Sequence, residues 1–425
     1  MNPRTLFKSE LIRNTSVLVS GTVLAQLISV LLQPLLRRLF PAEMWGTYSV
    51  YLSLVGIIAV FSSLRYDDAI VLPRKDKDSA SVLALSLVFN LVITFIIFLI
   101  FLIFGKQILI AVNLKPGFTS SVLFLVPFGA FLYNVAQSFN YWLIRKKKYT
   151  EVSANKLIRR GSEGLSQVSL AFLKNPAGLI YSDIVGQMAN VISTVIQSFR
   201  NGFSLKLISR NKLKYVASKY SEFPRYNLIP ALMSTCSFFL PPVFINKFYS
   251  PESAGYFDLT KMVLSIPLAF VASSISSVLL QRVADNFNAK KSFITELKST
   301  LLVVLGISLA ESIIILLFGV PLFKFVFGQD WGVSGAISRI MIWSFVLNFI
   351  VSSFSCIFIS MRKIKYYSIW QLCYFMAIIS LLLFRNYEFT EFLRVYVLIE
   401  VVCYLAVLTM MFRLVINYEK NLPVV

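Results

Sequence analysis

The sequence predicts an all-α, polytopic membrane protein with about 12 transmembrane helices in two parallel-repeat six-helix bundles around a central cavity. Three observations lead there. Apolar stretches long enough to cross a bilayer fill most of the 425 residues, basic residues favour alternate connections, and one short pattern recurs half a chain later. With 57% hydrophobic and only 14% charged residues, too little polar surface remains to clothe a water-soluble domain.

Each element follows from an apolar run and the residues that stop it. A spanning helix needs roughly 20 predominantly apolar residues. The runs lie near 14–36, 43–64, 79–104, 118–143, 157–173, 178–199, 223–246, 253–281, 299–318, 335–360, 367–384 and 392–412. Charge, Pro or Gly closes each one: Arg37, Arg38 and Pro41 after the first, Arg65 with Asp67 and Asp68 after the second, Arg145-Lys146-Lys147-Lys148 after the fourth. The first run follows Arg4, Lys8 and Arg13, as a signal peptide would. It is too long for one, carries Gln26, Gln33 and Pro34, and lacks a small-residue cleavage site, so it is expected to remain as a span. The bundles are expected over 1–205 and 206–425.

Orientation follows from the basic residues, which short loops retain on the cytoplasmic side. One set of connections holds most of them: the N-terminus, 65–80, 145–160 (including Arg159 and Arg160), 200–222, 282–298, 361–366 and the C-terminus. The opposite loops hold only Arg37, Arg38, Lys106, Lys115, Lys174, Lys247, Lys324 and Arg385. Both termini are therefore expected in the cytoplasm. The net charge of +21 is explained by this topology signal and by attraction to anionic headgroups, without nucleic acid.

The connections also limit function. The longest, 200–222, leaves no room for a folded catalytic or nucleotide-binding domain. The chain has no His, and it shows no phosphate-binding glycine loop, metal cluster or nucleophile elbow, so no catalytic residue, metal or cofactor is expected. Cys236, Cys356, Cys373 and Cys403 all fall inside spans, where buried packing is their expected role.

An internal repeat gives the two-bundle plan. Pro34 to Tyr48 ends the first span and opens the second; 208 residues later, Pro242 to Tyr256 ends the seventh and opens the eighth. In both passages a membrane Pro is followed by a basic exit, a second Pro, then Glu-x-x-Gly (Glu43 to Gly46, Glu252 to Gly255) and Tyr. Six spans separate the copies, an even number, so both halves enter the membrane the same way round.

Ionisable groups at membrane depth are costly and mark functional positions. Arg225, Asp258, Lys261, Glu311, Arg339, Glu163, Asp183, Arg394 and Glu400 lie in or at the edge of spans. Asp258 and Lys261, three apart on one helix, are placed to pair. Arg225 opens the seventh span beside Pro224 and Asn227. Glu311 sits centrally in its span, as a proton-exchanging group would. Arg37 and Arg38 run against the charge bias, as an anion-attracting mouth would.

At this point the residues resemble a family. The first-span exit Arg37-Arg38-Leu39-Phe40-Pro41-Ala42-Glu43-Met44-Trp45-Gly46, the second-span end Leu64 to Pro73, the Arg145 to Tyr149 run and Val326 to Trp331 are similar to the oligosaccharide flippases of bacterial surface-polysaccharide export, within the multidrug, oligosaccharidyl-lipid and polysaccharide exporter superfamily. The resemblance implies a non-enzymatic flippase of the inner membrane. It would move an undecaprenyl-pyrophosphate-linked repeat unit of O-antigen, capsule or exopolysaccharide from the cytoplasmic to the periplasmic leaflet by alternating access. It further implies substrate binding by Arg37, Arg38, Arg65, Arg225 and Lys261, with Asp67, Asp68, Asp258 and Glu311 as cavity acids that orient these bases or exchange an ion, Na⁺ or H⁺. Membrane lipids, and further along the assembly route a polysaccharide polymerase and chain-length regulator, are the partners it implies. The alternatives are a multidrug exporter, whose cationic substrates a basic cavity would repel, a lipid II flippase, whose relatives usually carry two more spans, and a membrane polysaccharide polymerase, which commonly needs a long external loop.

Overall fold

In the computed structural model the described residues are 10–113 and 116–422, with side chains described for 20–113 and 122–422. Arg4, Lys8 and Lys115, used above for orientation, lie outside the described residues, as does the Arg13 side chain. Among the described residues there is no strand.

The helices are α1 (Glu10–Leu39), α2 (Ala42–Ser62), α3 (Asp76–Ala111), α4 (Pro116–Arg145), α5 (Tyr149–Phe172), α6 (Gly178–Arg200), the short α7 (Arg210–Lys219), α8 (Leu228–Phe248), α9 (Pro251–Asn288), α10 (Ile294–Phe327), α11 (Gly332–Phe354), α12 (Cys356–Ser360), α13 (Ile364–Ile379) and α14 (Phe389–Lys420). Every expected span has its helix, and eleven described segments are long and apolar enough to cross a membrane. The expected span left out is α5, whose Lys156, Arg159, Arg160 and Glu163 make it too polar to qualify alone. One expectation is corrected here. Residues 149–160 are not a basic connection but the first half of α5, because the helix continues unbroken from Tyr149 and its charges find partners on neighbouring helices.

The lipid-facing surfaces are written in the side chains. Leu91, Phe95, Leu102 and Ile103 on α3, and Leu302, Leu309, Leu317 and Phe318 on α10, are large, apolar and exposed, which water would penalise and hydrocarbon does not. The protein is a multi-pass membrane protein.

Two compact units divide the chain at residues 1–252 and 253–425. In unit 1, α5 packs between α1 and α6, α4 contacts α2, α3 and α6, and α8 lies along α2. Gly186 permits the α5–α6 approach: a Cβ there would stand 2.9 Å from Glu163 Cβ and 3.0 Å from the Arg159 carbonyl oxygen. Gly56 does the same for α8, since any side chain on it would collide with the Phe239 ring. The segment after α6 folds back instead of trailing as a linker; Phe203 packs edge-on against Trp142 and Phe139, and Lys212 of α7 pairs with Asp78 at 2.7 Å. In unit 2, α11 contacts α10 and α14, and α13 contacts α14. Hydroxyls tie α9 to α11: Thr260 donates to the Ser334 carbonyl at 2.9 Å and Ser334 to that of Tyr256 at 3.0 Å.

Several helices stop in the same way. Lys147, Lys174, Lys290 and Arg362 each take positive φ, between 51° and 57°, just past a helix end. The next amide then donates to the carbonyl five residues back, as Lys148 does to Leu143 and Lys291 does to Asn286, both at 2.9 Å. Glycine is the residue this geometry favours; the cation instead faces the negative end of the helix dipole. Lys290→Gly is therefore expected to stabilise the protein by about 0.5–1 kcal/mol through relief of left-handed strain. A thermal melt in detergent that shows a rise in Tm checks this.

Candidate functional site

Four of the sequence-predicted site residues gather at one end of unit 1. After α2 the chain turns through Leu64 and Arg65, both at positive φ (48° and 61°), into a short helical turn at Tyr66–Val71. That reversal places Asp68 against Arg65, with Nη2 2.7 Å from Oδ2. The Tyr141 hydroxyl donates to Asp68 Oδ1 at 2.9 Å and the Asn227 amide to Oδ2 at 3.1 Å. Asn227 closes the wide turn Phe223–Asn227 that carries Arg225, whose exposed guanidinium acts electrostatically on the Tyr66 ring. Tyr66 itself donates to the Ala217 carbonyl at 2.9 Å. Asp67 is buried and accepts from Ser63 Oγ at 2.6 Å; burial pushes its carboxyl above the usual range, and the Ser63 bond only partly offsets this. At this end Arg225 is the exposed cation, while Arg65 is paired with Asp68 and Asp67 is held by Ser63.

Arg37 and Arg38 lie in the last turn of α1, just before α2 begins and so about 30 Å from that end by the rise of α2. Arg37 is buried: its guanidinium stacks 3.7 Å over the Trp45 ring, and Nε donates to Gln33 at 3.1 Å. Packing accounts for that side chain, whereas Arg38 is exposed. Asp258, Lys261 and Glu311 belong to unit 2. Glu311 lies midway along α10, and its Oε2 is buried with no hydrogen-bond partner among the described residues.

Deeper in unit 1 is a cluster that the sequence reading flagged only in part. Arg159 and Glu163 sit about 15 and 21 Å into α5. Arg160 bridges Glu163 at 2.8 Å and Arg159 approaches Asp183 of α6 at 3.5 Å. Tyr48 and Tyr51, one turn apart on α2, donate to Glu163 Oε1 and Asp183 Oδ2, both at 3.1 Å. The Arg159 guanidinium also lies 5.9 Å from the Tyr133 ring of α4. Two guanidiniums thus match two carboxylates. The sequence signal was Arg159, Arg160 and Glu163 at spacings of four and three on one helix, obscured because both arginines were read as loop charges.

Unit 2 holds a counterpart. Glu400 is 5% exposed, and its Oε1 accepts the hydroxyls of Tyr374 at 2.9 Å, Tyr396 at 2.8 Å and Tyr404 at 3.4 Å. Asn348 donates to the Tyr404 oxygen at 2.7 Å. The charge of Lys261 acts on both Glu400 and Asp258. Tyr396, Glu400 and Tyr404 stand at i, i+4 and i+8, one stripe on α14 that the sequence contained.

The sequence profile of the polysaccharide biosynthesis protein family matches residues 35–336. The chain belongs to that family. Its fold is that of the transporters of the multidrug, oligosaccharidyl-lipid and polysaccharide exporter superfamily. An inward-facing multidrug-resistance transporter of that superfamily superposes with TM-score 0.72 at 15% identity, over 95% of this chain and 99% of the other. The lipid II flippase MurJ in an inward-closed conformation gives 0.71 at 12% identity, over 94% and 91%. A superfamily transporter from Pyrococcus furiosus, described as having a binding pocket of reverse polarity, gives 0.60 at 14% identity, over 96% of both chains. No curated protein matches the chain by sequence.

The cluster in α5 makes a quantitative expectation. Removing one member of the Arg160–Glu163 bridge leaves its partner charged within the bundle, so Arg160→Leu and Glu163→Leu should each cost about 2 kcal/mol or more, allowing for the partial exposure of Arg160. The double variant should recover at least about 1 kcal/mol of the summed loss. Melting of the four proteins in one detergent gives the cycle.

Proposed function

We propose that the protein is a flippase that carries an oligosaccharide repeat unit, linked through a diphosphate to undecaprenol, from the cytoplasmic to the periplasmic leaflet of a bacterial inner membrane. The product feeds O-antigen, capsule or exopolysaccharide assembly. Membership of the polysaccharide biosynthesis family across residues 35–336 carries this reading, and the fold shared with a lipid II flippase supports it. The chemistry agrees. A diphosphate needs guanidinium or ammonium groups, and Arg65 and Arg225 bring guanidiniums to one end of unit 1. The alternating access that such transport needs, both termini in the cytoplasm, and two six-helix bundles over 1–205 and 206–425 are parts of the same proposal.

A multidrug exporter is the second reading, because one of the similar structures is described as such. The arginine pairing of Glu163 and Asp183 argues against it, since membrane-depth carboxylates that would attract a cationic drug are already neutralised in unit 1.

Binding of a fluorescent undecaprenyl-diphosphate oligosaccharide to protein in nanodiscs tests the proposal. Arg65→Ala and Arg225→Ala are expected to weaken it about tenfold each, with the wild-type affinity falling as salt rises. Equal binding by the undecaprenyl-free dye and by both variants would contradict it.

A further inference from the structure

The ion pairs of α5 stand beside an aromatic ring that they do not explain. Arg159 and Arg160 lie at span depth, yet their side chains keep 22% and 35% of their surface exposed. Charged groups at that depth face water-filled space, because hydrocarbon offers them no partner. Tyr133 of α4 shares this wetted surface. Its ring lies 5.9 Å from the Arg159 guanidinium and is 38% exposed, and its hydroxyl has no hydrogen-bond partner among the described residues.

Two ordinary roles do not fit this ring. Interfacial tyrosines sit near span ends, where the hydroxyl meets headgroups. Tyr133 instead stands about 18 Å from one end of α4 and about 25 Å from the other. A core tyrosine is covered and its hydroxyl bonded, as Tyr48 and Tyr51 are by Glu163 and Asp183. Tyr133 is neither covered nor bonded in that way.

The stripe that carries Tyr133 leads to the cationic end of unit 1. Tyr133, Gln137 and Tyr141 follow one another at four-residue spacing on α4, over about 12 Å. Gln137 is half-buried, and Tyr141 closes the stripe by donating to Asp68 Oδ1, at the end where Arg65 pairs with Asp68 and Arg225 is exposed.

An open phenol ring with a guanidinium beside it and an amide one turn away suits a sugar. A sugar ring has a face of C–H groups and an edge of hydroxyls. The C–H groups pack on the electron-rich face of the phenol, while amide and guanidinium serve the hydroxyls. Local charge narrows the class further. Arg159 is set against Asp183 and Arg160 against Glu163, so these pairs leave no surplus charge beside the ring and favour an uncharged sugar.

Resting on the flippase reading above, we propose that Tyr133, with Gln137 and Arg159 beside it, is the binding site for an uncharged sugar ring of the repeat unit. The diphosphate meets the guanidiniums near Asp68, and the saccharide runs along α4 to Tyr133. The ring thereby makes the protein prefer a glycosylated lipid to the same lipid without sugar.

Titration calorimetry in detergent compares two ligands, undecaprenyl diphosphate and the same lipid carrying a neutral trisaccharide. Wild type is expected to bind the glycosylated lipid about tenfold more tightly. Tyr133→Ala should abolish that ratio by weakening the glycosylated lipid alone, and Tyr133→Phe, which retains the ring, should keep most of it. A tyrosine that only supports the fold would shift both ligands together. Equal weakening of both, or an unchanged ratio in Tyr133→Ala, would therefore overturn the site. Should Tyr133→Ala not fold, Tyr133→Leu gives the same comparison, since it keeps apolar bulk without the aromatic face. Wild type that binds both lipids equally would overturn the sugar site and leave the diphosphate reading standing; wild type that binds neither would overturn the flippase reading as well. A trisaccharide of uronic acids should gain less than the neutral one, and a larger gain would refute the uncharged class.

Discussion

A charge placed at membrane depth has no water to turn to, so its partner must be built into the bundle beside it. This constraint governs both units more than the packing of apolar side chains does. It explains why α5, among the described residues the one long helix too polar to cross a membrane alone, occupies the position of a span: Arg159, Arg160 and Glu163 are acceptable there because α2 brings Tyr48 and Tyr51 and α6 brings Asp183. It also explains Gly186, since the α5–α6 approach that makes the pairing leaves no space for a Cβ.

The repeat makes a comparison possible inside one chain. The second, fourth, fifth and sixth spans of each half carry a polar cluster. Unit 1 settled on matched guanidiniums and carboxylates, a combination that resists titration. Unit 2 instead surrounds one carboxylate, Glu400, with three phenols.

How much of this was legible in the sequence depended on the signal. Apolar length is a strong one, and each of the twelve expected spans has its helix, although α5 starts eight residues early and α10 runs nine residues past its expected end. The reversal at Leu64 and Arg65 was visible as charge but not as conformation, because nothing in the letters says that two non-glycine residues will take positive φ. Arg65 and Asp68 do pair, and Asn227 joins them, which sequence separation hid. Arg159 and Arg160 were misplaced because a basic run next to Arg145-Lys146-Lys147-Lys148 looks like one long loop; only the helical spacing to Glu163 betrays them. Glu400 was seen as a membrane-depth acid, but its cage draws Tyr374 from another helix, and that contact is tertiary. Arg37 illustrates the reverse: its position suggested an anion mouth, and the Trp45 ring it covers was only eight residues away.

The protein is proposed to pass a diphosphate-linked sugar across the bilayer. Liposomes containing the wild-type protein and a fluorescent undecaprenyl-diphosphate oligosaccharide, with the outer-leaflet dye quenched chemically, measure that passage. Protein-dependent quenching of more than the outer-leaflet half of the fluorescence, together with no movement of a cationic dye, is the predicted result. Quenching that stops at the outer-leaflet half while the cationic dye is transported would contradict it.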